Sequence, residues 1–235
     1  MPSPPKPRSL FQWWREHGTI QFLLTLWTFA RESTPAYRRQ RYGDMDYDWE
    51  HRVNTTSGTV GWRARLLGLF HSPYQPTEPS LFAEMMASLP IDFHTFTFID
   101  VGSGKGRTLL MASEYPFRQI IGVELIAELH NAAEENIRLY QSETQQCSRI
   151  ESILADACDF DFPNAPLVLY LFNPLPEDAL TKVLARLKRS LHENPRPVWL
   201  IYHNPLLDRV LEGTEEFKKT HATTQFCVYT SRAGS

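Results

Sequence analysis

From residue 97 onward the chain alternates between short apolar runs and longer stretches whose apolar residues recur at helical spacing. Thr97–Val101, Gln119–Glu124, Arg149–Leu154, Leu167–Phe172 and Val198–His203 predict strands. Leu167–Phe172 and Val198–His203 are continuous apolar runs, which only a sheet covered on both faces can bury. Between the strands, Arg107–Tyr115 predicts a helix. Ile126–Gln145 predicts a longer one, with a stripe at Ile126, Leu129, Ala133, Ile137 and Tyr140. Pro176 sits where a first-turn proline belongs, ahead of a stripe at Leu180, Val183, Leu184, Leu187 and Leu191. Asn204–Glu212 predicts a further helix, and Thr77 reads as the N-cap of one over Glu78–Ser88. Phe217–Thr220 and Gln225–Thr230 predict a closing antiparallel pair around a turn at His221-Ala222. Strands alternating with helices require a mostly parallel sheet with right-handed crossovers. The fold class is therefore α/β: a doubly wound sheet of seven strands with an antiparallel C-terminal edge strand.

The first 73 residues are patterned differently and predict an N-terminal extension ahead of a domain spanning 74–235. Residues 1–9 carry Pro2, Pro4, Pro5 and Pro7, a composition that predicts disorder. Ile20, Leu23, Leu24 and Trp27 follow amphipathic spacing, and Phe22, Leu26 and Phe29 make that helix apolar almost all round. Packing onto its own domain is the simplest cover for it. Tyr42 to His51 mixes acids with aromatics and predicts an ordered loop. Its carboxylates either line a pocket for a cationic substrate or are surface acids flanking a structural Trp49.

Charge adds an asymmetry. Residues 1–43 hold seven Lys/Arg against two acids, a net +5 that leaves about −8 on the remainder. A basic arm on an acidic body suits an acidic partner, a peripheral membrane contact, or docking on the body itself. The overall net charge of −3 gives no reason to expect nucleic acid. The best apolar run, Ile20–Ala30, spans eleven residues with Gln21, Thr25 and Thr28 inside. A membrane-spanning helix needs ~20 apolar residues, and no signal-peptide pattern precedes the run. Cys147, Cys158 and Cys227 show no paired spacing, which fits a reducing, cytoplasmic setting without a zinc site.

The chemistry concentrates where strands end. Asp100-Val101-Gly102-Ser103-Gly104-Lys105-Gly106 follows the first strand and opens a helix, as nucleotide-binding turns of Rossmann-like sheets do. Gly102 and Gly104 let the backbone approach a ligand and are expected to leave amides free for it. The second strand ends at Glu124-Leu125, the third is followed by Asp156-Ala157, the fourth by Asn173-Pro174, and the fifth ends at His203-Asn204-Pro205. Ligands of open parallel sheets bind outside these carboxyl ends. Asp100 suits an ammonium, Glu124 the hydroxyls of a ribose, and Asp156 with the Ala157 amide an adenine edge. Asn173 either caps the following helix or orients an NH donor, and His203 is a candidate general base.

Together these residues resemble the class I, seven-strand S-adenosylmethionine-dependent methyltransferases over about residues 74–230. The resemblance lies in the first motif (Asp100 to Gly106, with Ser103 inside it), the ribose acid Glu124, the adenine acid Asp156, and Asn173-Pro174 after the fourth strand. It implies S-adenosyl-L-methionine as cofactor, no metal, and transfer of a methyl group by direct displacement to a protein or small-molecule acceptor. Tyr74-Gln75-Pro76-Thr77 also resembles the Tyr-x-Pro-Thr segment that caps the cofactor in a seven-strand protein lysine methyltransferase group. Amine-directed members often carry Asn/Asp-Pro-Pro-aromatic after the fourth strand. Here Asn173-Pro174-Leu175-Pro176 keeps the Asn-Pro but lacks the aromatic, which suggests an amine nitrogen and disfavours a flat base. A nicotinamide enzyme requires Gly-x-Gly-x-x-Gly, and Arg107 occupies the third glycine's place. A non-catalytic binding module keeping this fold stands as an alternative, as does an aminopropyl transferase, which would need an acidic signature after Asn173.

Overall fold

Six residues without a polar interruption, Leu167–Phe172, form the central strand of the sheet, as a run buried on both faces must. The computed structural model describes residues 45–56, 76–172 and 175–231. The chain divides into two units, Met1–Asp46 and Tyr47–Ser235. All described elements belong to the second except the first two residues of the first helix. The helix predicted around Ile20–Trp27 lies outside the described residues.

In chain order the elements are α1 (Met45–Glu50), α2 (Pro79–Ala87), a 3₁₀ turn (Phe93–Thr95), β1 (Thr97–Val101), α3 (Arg107–Ala112), β2 (Gln119–Glu124), α4 (Ala127–Leu139), β3 (Ile150–Leu154), β4 (Leu167–Phe172), α5 (Glu177–Glu193), β5 (Val198–His203), α6 (Asp208–Glu212), β6 (Phe217–Ala222) and β7 (Phe226–Ser231). The seven strands form one sheet in the order β3-β2-β1-β4-β5-β7-β6. β1 to β5 pair in parallel. β7 runs antiparallel between β5 and β6, so the closing hairpin supplies the antiparallel C-terminal edge and β6 is outermost.

Alternation along each strand separates two cores. Phe98, Ile120, Val168, Tyr170, Ile201 and Val228 join Phe82, Met85 and Met86 of α2 and Leu110 of α3 in one cluster. Ile99, Val101, Val123, Leu169, Leu171 and Leu200 join the α5 stripe and Leu211 in the other. All five stripe residues of α5 are buried. Each contributes about 1.5–3 kcal/mol, enough to fix which face of the helix meets the sheet. The chain switches faces between β1 and β4, which leaves a crevice at their carboxyl ends.

β1, β2, β4 and β5 have the predicted bounds, but several helices do not. α4 ends at Leu139 rather than Gln145, because Tyr140 turns out of helical geometry (ψ 132°) with its ring buried and its hydroxyl on Glu114. The polar run that follows has no apolar residue to continue the stripe. α6 begins at Asp208 rather than Asn204. Pro205 bars the preceding residue from helical geometry, and Asn204 takes φ 51°. The β6–β7 turn falls at Thr223–Gln225, where the Thr223 hydroxyl accepts the amides of Gln225 and Phe226 at 3.1 and 3.0 Å. Thr77 is not an N-cap. Glu78 holds that position without a side-chain cap bond, and Thr77 is buried. No helix among the described residues is long and apolar enough to cross a membrane.

Candidate functional site

β1 delivers Asp100 to the crevice, and the following turn doubles back over the end of β2. Gly102, Gly104 and Gly106 have φ of 77°, 56° and 82°, left-handed values that glycine adopts without strain. The Gly102 and Gly104 amides, expected to be free, are not. Gly102 and Ser103 both donate to the Val123 carbonyl (2.8 and 3.2 Å), Gly106 to the Ser103 carbonyl (2.9 Å), and Gly104 to Glu124 Oε2 (2.8 Å). The turn lies so close to β2 that the amides of Gly102, Ser103 and Gly104 are taken up by its end.

It presents acceptors instead. Asp100 is 3% exposed and accepts a hydrogen bond from the Thr108 hydroxyl. Burial pushes its carboxyl up to about 7, with the nearby Glu124 adding to the rise and Thr108 opposing it. Glu124 is also buried, with Oε1 accepting the Ile126 amide at 2.9 Å. Burial raises its pKa as well, against the backbone amides that hold it. Neither carboxylate has an ion-pair partner among the described residues. Between them, the buried Ser103 hydroxyl lacks a hydrogen-bond partner among the described residues. Gly122 makes room for Ser103: a Cβ there would stand 2.6 Å from Ser103 Oγ and from Leu109 Cδ1.

A phosphate would meet two buried carboxylates here. An ammonium and a diol, all donors, match what the turn offers. The two carboxylates therefore suit the ammonium and ribose of S-adenosylmethionine better than a pyrophosphate.

The turn is braced from behind. The Asn136 amide group donates to the carbonyls of Lys105 (2.9 Å) and Asn54 (3.1 Å) and accepts the Asn54 amide (2.8 Å). Buried Asp48 accepts the Thr55 and Thr56 amides (2.9 and 2.8 Å) and both their hydroxyls, and pairs with Arg107 at 3.8 Å. Arg107 in turn lies 4.4 Å over the Tyr47 ring. Asp48 is thus a structural carboxylate rather than the lining of a cationic pocket. Trp49 is 65% exposed.

At the ends of β4 and β5 a second constellation appears. The Tyr170 hydroxyl bridges Thr77 Oγ1 (2.8 Å) and His203 Nδ1 (2.7 Å), all three residues being buried. Phe172 stacks on the His203 ring with centroids 3.8 Å apart and planes 15° apart. Burial lowers the His203 pKa to about 4, so the ring is neutral at neutral pH. Tyr202 belongs to the opposite core, and its hydroxyl accepts the Leu207 amide at 3.3 Å. Tyr170 escaped notice in the sequence, although a lone hydroxyl within a buried apolar strand requires a partner.

The adenine-side candidates flank β2 and β3. Leu125 is 49% exposed beside Glu124. Asp156 is exposed and closes a turn by accepting the Cys158 amide at 2.8 Å, while Ala157 is buried. Tyr74, Asn173 and Pro174 lie outside the described residues.

No protein-family profile matches this sequence, and no curated protein matches it significantly. Solved structures with the same fold include an RNA methyltransferase from Salinibacter ruber in complex with S-adenosyl-L-homocysteine. It is 20% identical, with 67% of this chain and 92% of that chain covered and a TM-score of 0.45. A ribosomal protein L11 methylase from Lactobacillus delbrueckii subsp. bulgaricus is 18% identical over 68% of this chain and 90% of that one, TM-score 0.44. A predicted N6-adenine-specific DNA methylase from Listeria monocytogenes is 14% identical over 69% and 53%, TM-score 0.49. At these similarities the acceptors of those proteins carry nothing over to this chain, and its low net charge does not by itself decide against a nucleic acid. The order and direction of its strands are those of a doubly wound, Rossmann-like sheet with an antiparallel hairpin at one edge.

Proposed function

We propose that this chain is an S-adenosylmethionine-dependent methyltransferase acting on an amine nitrogen, such as that of a protein lysine. The observation that carries the cofactor assignment is the pair of buried carboxylates Asp100 and Glu124, with the unpartnered Ser103 hydroxyl, at a glycine turn whose Gly102 and Gly104 amides are already bonded. In this reading Asp100 holds the ammonium, Glu124 the ribose hydroxyls, and Leu125, Asp156 and Ala157 the adenine.

S-adenosylmethionine supplies, when bound, a methyl group on a positively charged sulfur that a lone pair can attack. The protein's own work is alignment and exclusion of water. Alignment alone is worth ~7–11 kcal/mol in favourable systems. Asn173-Pro174 carries the acceptor assignment: the Asn oxygen accepts an N–H of the incoming amine and so aims its lone pair. His203 lies at the next strand end, neutral and held by its neighbours.

Calorimetric titration with S-adenosylmethionine, S-adenosylhomocysteine and NAD tests the cofactor. The expectation is binding of the first two, weakened at least tenfold by Asp100→Ala or Glu124→Ala; binding of NAD alone sinks the assignment. Incubation of lysate with methyl-labelled cofactor then tests the reaction. Label on an amine, lost with Asn173→Ala at unchanged cofactor affinity, supports the acceptor. Cofactor binding without transfer to any lysate component makes the chain a binding module.

A further inference from the structure

The Thr77–Tyr170–His203 chain contains two hydrogen bonds and two self-consistent directions. Either Thr77 donates to the Tyr170 oxygen and Tyr170 to His203 Nδ1, or the imidazole donates from Nδ1 and the run reverses. A phenol O–H is a stronger donor than a neutral imidazole N–H, and an imidazole nitrogen is a better acceptor than a phenol oxygen. The first direction therefore matches acidity to basicity at the shorter contact. Donation by Thr77 to the same phenol oxygen polarises its O–H and strengthens the second bond. The phenol keeps its proton: burial raises the Tyr170 pKa well above its usual value, and Asp100, in register on β1, adds to the rise. Phe172, stacked on one face at 3.8 Å, opposes the ring flip that would put Cδ2 in the place of Nδ1.

We propose that the Tyr170 hydroxyl locks His203 in the tautomer protonated at Nε2, so that His203 meets the acceptor as a hydrogen-bond donor and not as a base. With Nδ1 occupied and Nε2 carrying the proton, the neutral ring has no lone pair to offer a ligand. The amine must then arrive already deprotonated or lose its proton to water, and His203 orients it through an oxygen acceptor on the substrate. Tyr170 is a positioning residue acting through His203. This role rests on the methyltransferase reading; the tautomer does not.

Two measurements separate them. Long-range proton–nitrogen correlation spectra of protein labelled with ¹⁵N-histidine, assigned by the signals lost in His203→Gln, report the tautomer directly. The wild type is expected to show a protonated Nε2 and an unprotonated Nδ1, and Tyr170→Phe to show both nitrogens averaging between tautomers. A wild-type Nδ1–H pattern overturns the lock even if Tyr170→Phe does not fold, and an unchanged pattern in a folded Tyr170→Phe overturns the role of Tyr170. In the labelled-methyl assay, Tyr170→Phe is expected to lower turnover about tenfold with the S-adenosylhomocysteine affinity unchanged. Equal turnover in the two proteins overturns the positioning role. Absence of transfer by the wild type overturns the functional reading, while the spectra still decide the tautomer.

Discussion

Replacing Asp100 by Asn is expected to stabilise the protein at alkaline pH, by an amount that the buried position of this carboxyl sets. Its pKa is about 7 in the folded chain, against about 4 when unfolded. Below pH 4 both states carry the proton and the site has no electrostatic cost. Between pH 4 and 7 the unfolded chain releases the proton and the folded one keeps it, so stability falls as pH rises, by ~1.4 kcal/mol per unit. Above pH 7 the loss is complete, at a ceiling of about 4 kcal/mol. Asn can still accept from the Thr108 hydroxyl, so the variant removes the ionisation and keeps that bond. Urea unfolding from pH 4 to 8.5 should show the two proteins converging at the acid end and Asp100→Asn gaining about 2–4 kcal/mol at pH 8. A difference that does not change with pH, or a variant less stable at pH 8, refutes the reasoning. The same logic reverses on binding an ammonium group. S-adenosylhomocysteine at pH 6 should release close to one proton from Asp100, read as a dependence of the calorimetric heat on buffer ionisation enthalpy. At pH 8 the release should vanish.

Two further outcomes follow from packing. Gly122→Ala drives a Cβ to 2.6 Å from Ser103 Oγ and Leu109 Cδ1; overpacking of this kind costs about 1–3 kcal/mol. Its melting temperature should fall and its S-adenosylhomocysteine affinity drop at least tenfold, and wild-type values for both would show that the turn does not need this glycine. Asp48→Ala removes the carboxylate facing buried Arg107 and the amides of Thr55 and Thr56. Breaking such a pair costs about 3–5 kcal/mol, so thermal unfolding should show a large loss that Asp48→Asn partly restores.

What could be read from the sequence divides along a physical line. β4 and β5 were legible because burial on both faces demands nearly unbroken apolar runs, β1 and β2 because short apolar runs lead into an acid or a glycine turn, and ends are marked by a charged or turn-forming residue: Glu124 for β2, His203 for β5. Asp100 and Glu124 were legible as site residues because an acid at a parallel strand's carboxyl end has few structural uses. The hydrogen-bond partners were not. Thr77 before Pro79 has the local signature of an N-cap, but its hydroxyl bonds a residue 93 positions away, and no local pattern encodes that. The turn's amides looked free because the sequence does not show that β2 passes close enough to accept them. Asp48 looked like a surface acid for the same reason; its partner Arg107 belongs to another element.

The brace behind the glycine turn also sets an order of events during synthesis. Asn54 finds its partner in Asn136, 82 residues later, and Thr55 finds Arg107, 52 residues later. As the chain emerges from the ribosome, the segment 47–56 has only its own Asp48 contacts to Thr55 and Thr56 until α3 and then α4 have followed it out. It is therefore the last stitch of the first half of the sheet rather than its nucleus, because closing so long a loop must wait for contacts that already hold the turn in place. Folding that begins with β1 and β2 leaves Tyr47 and Val53 exposed in the interval, and the ligand cradle acquires its backing only when they come home.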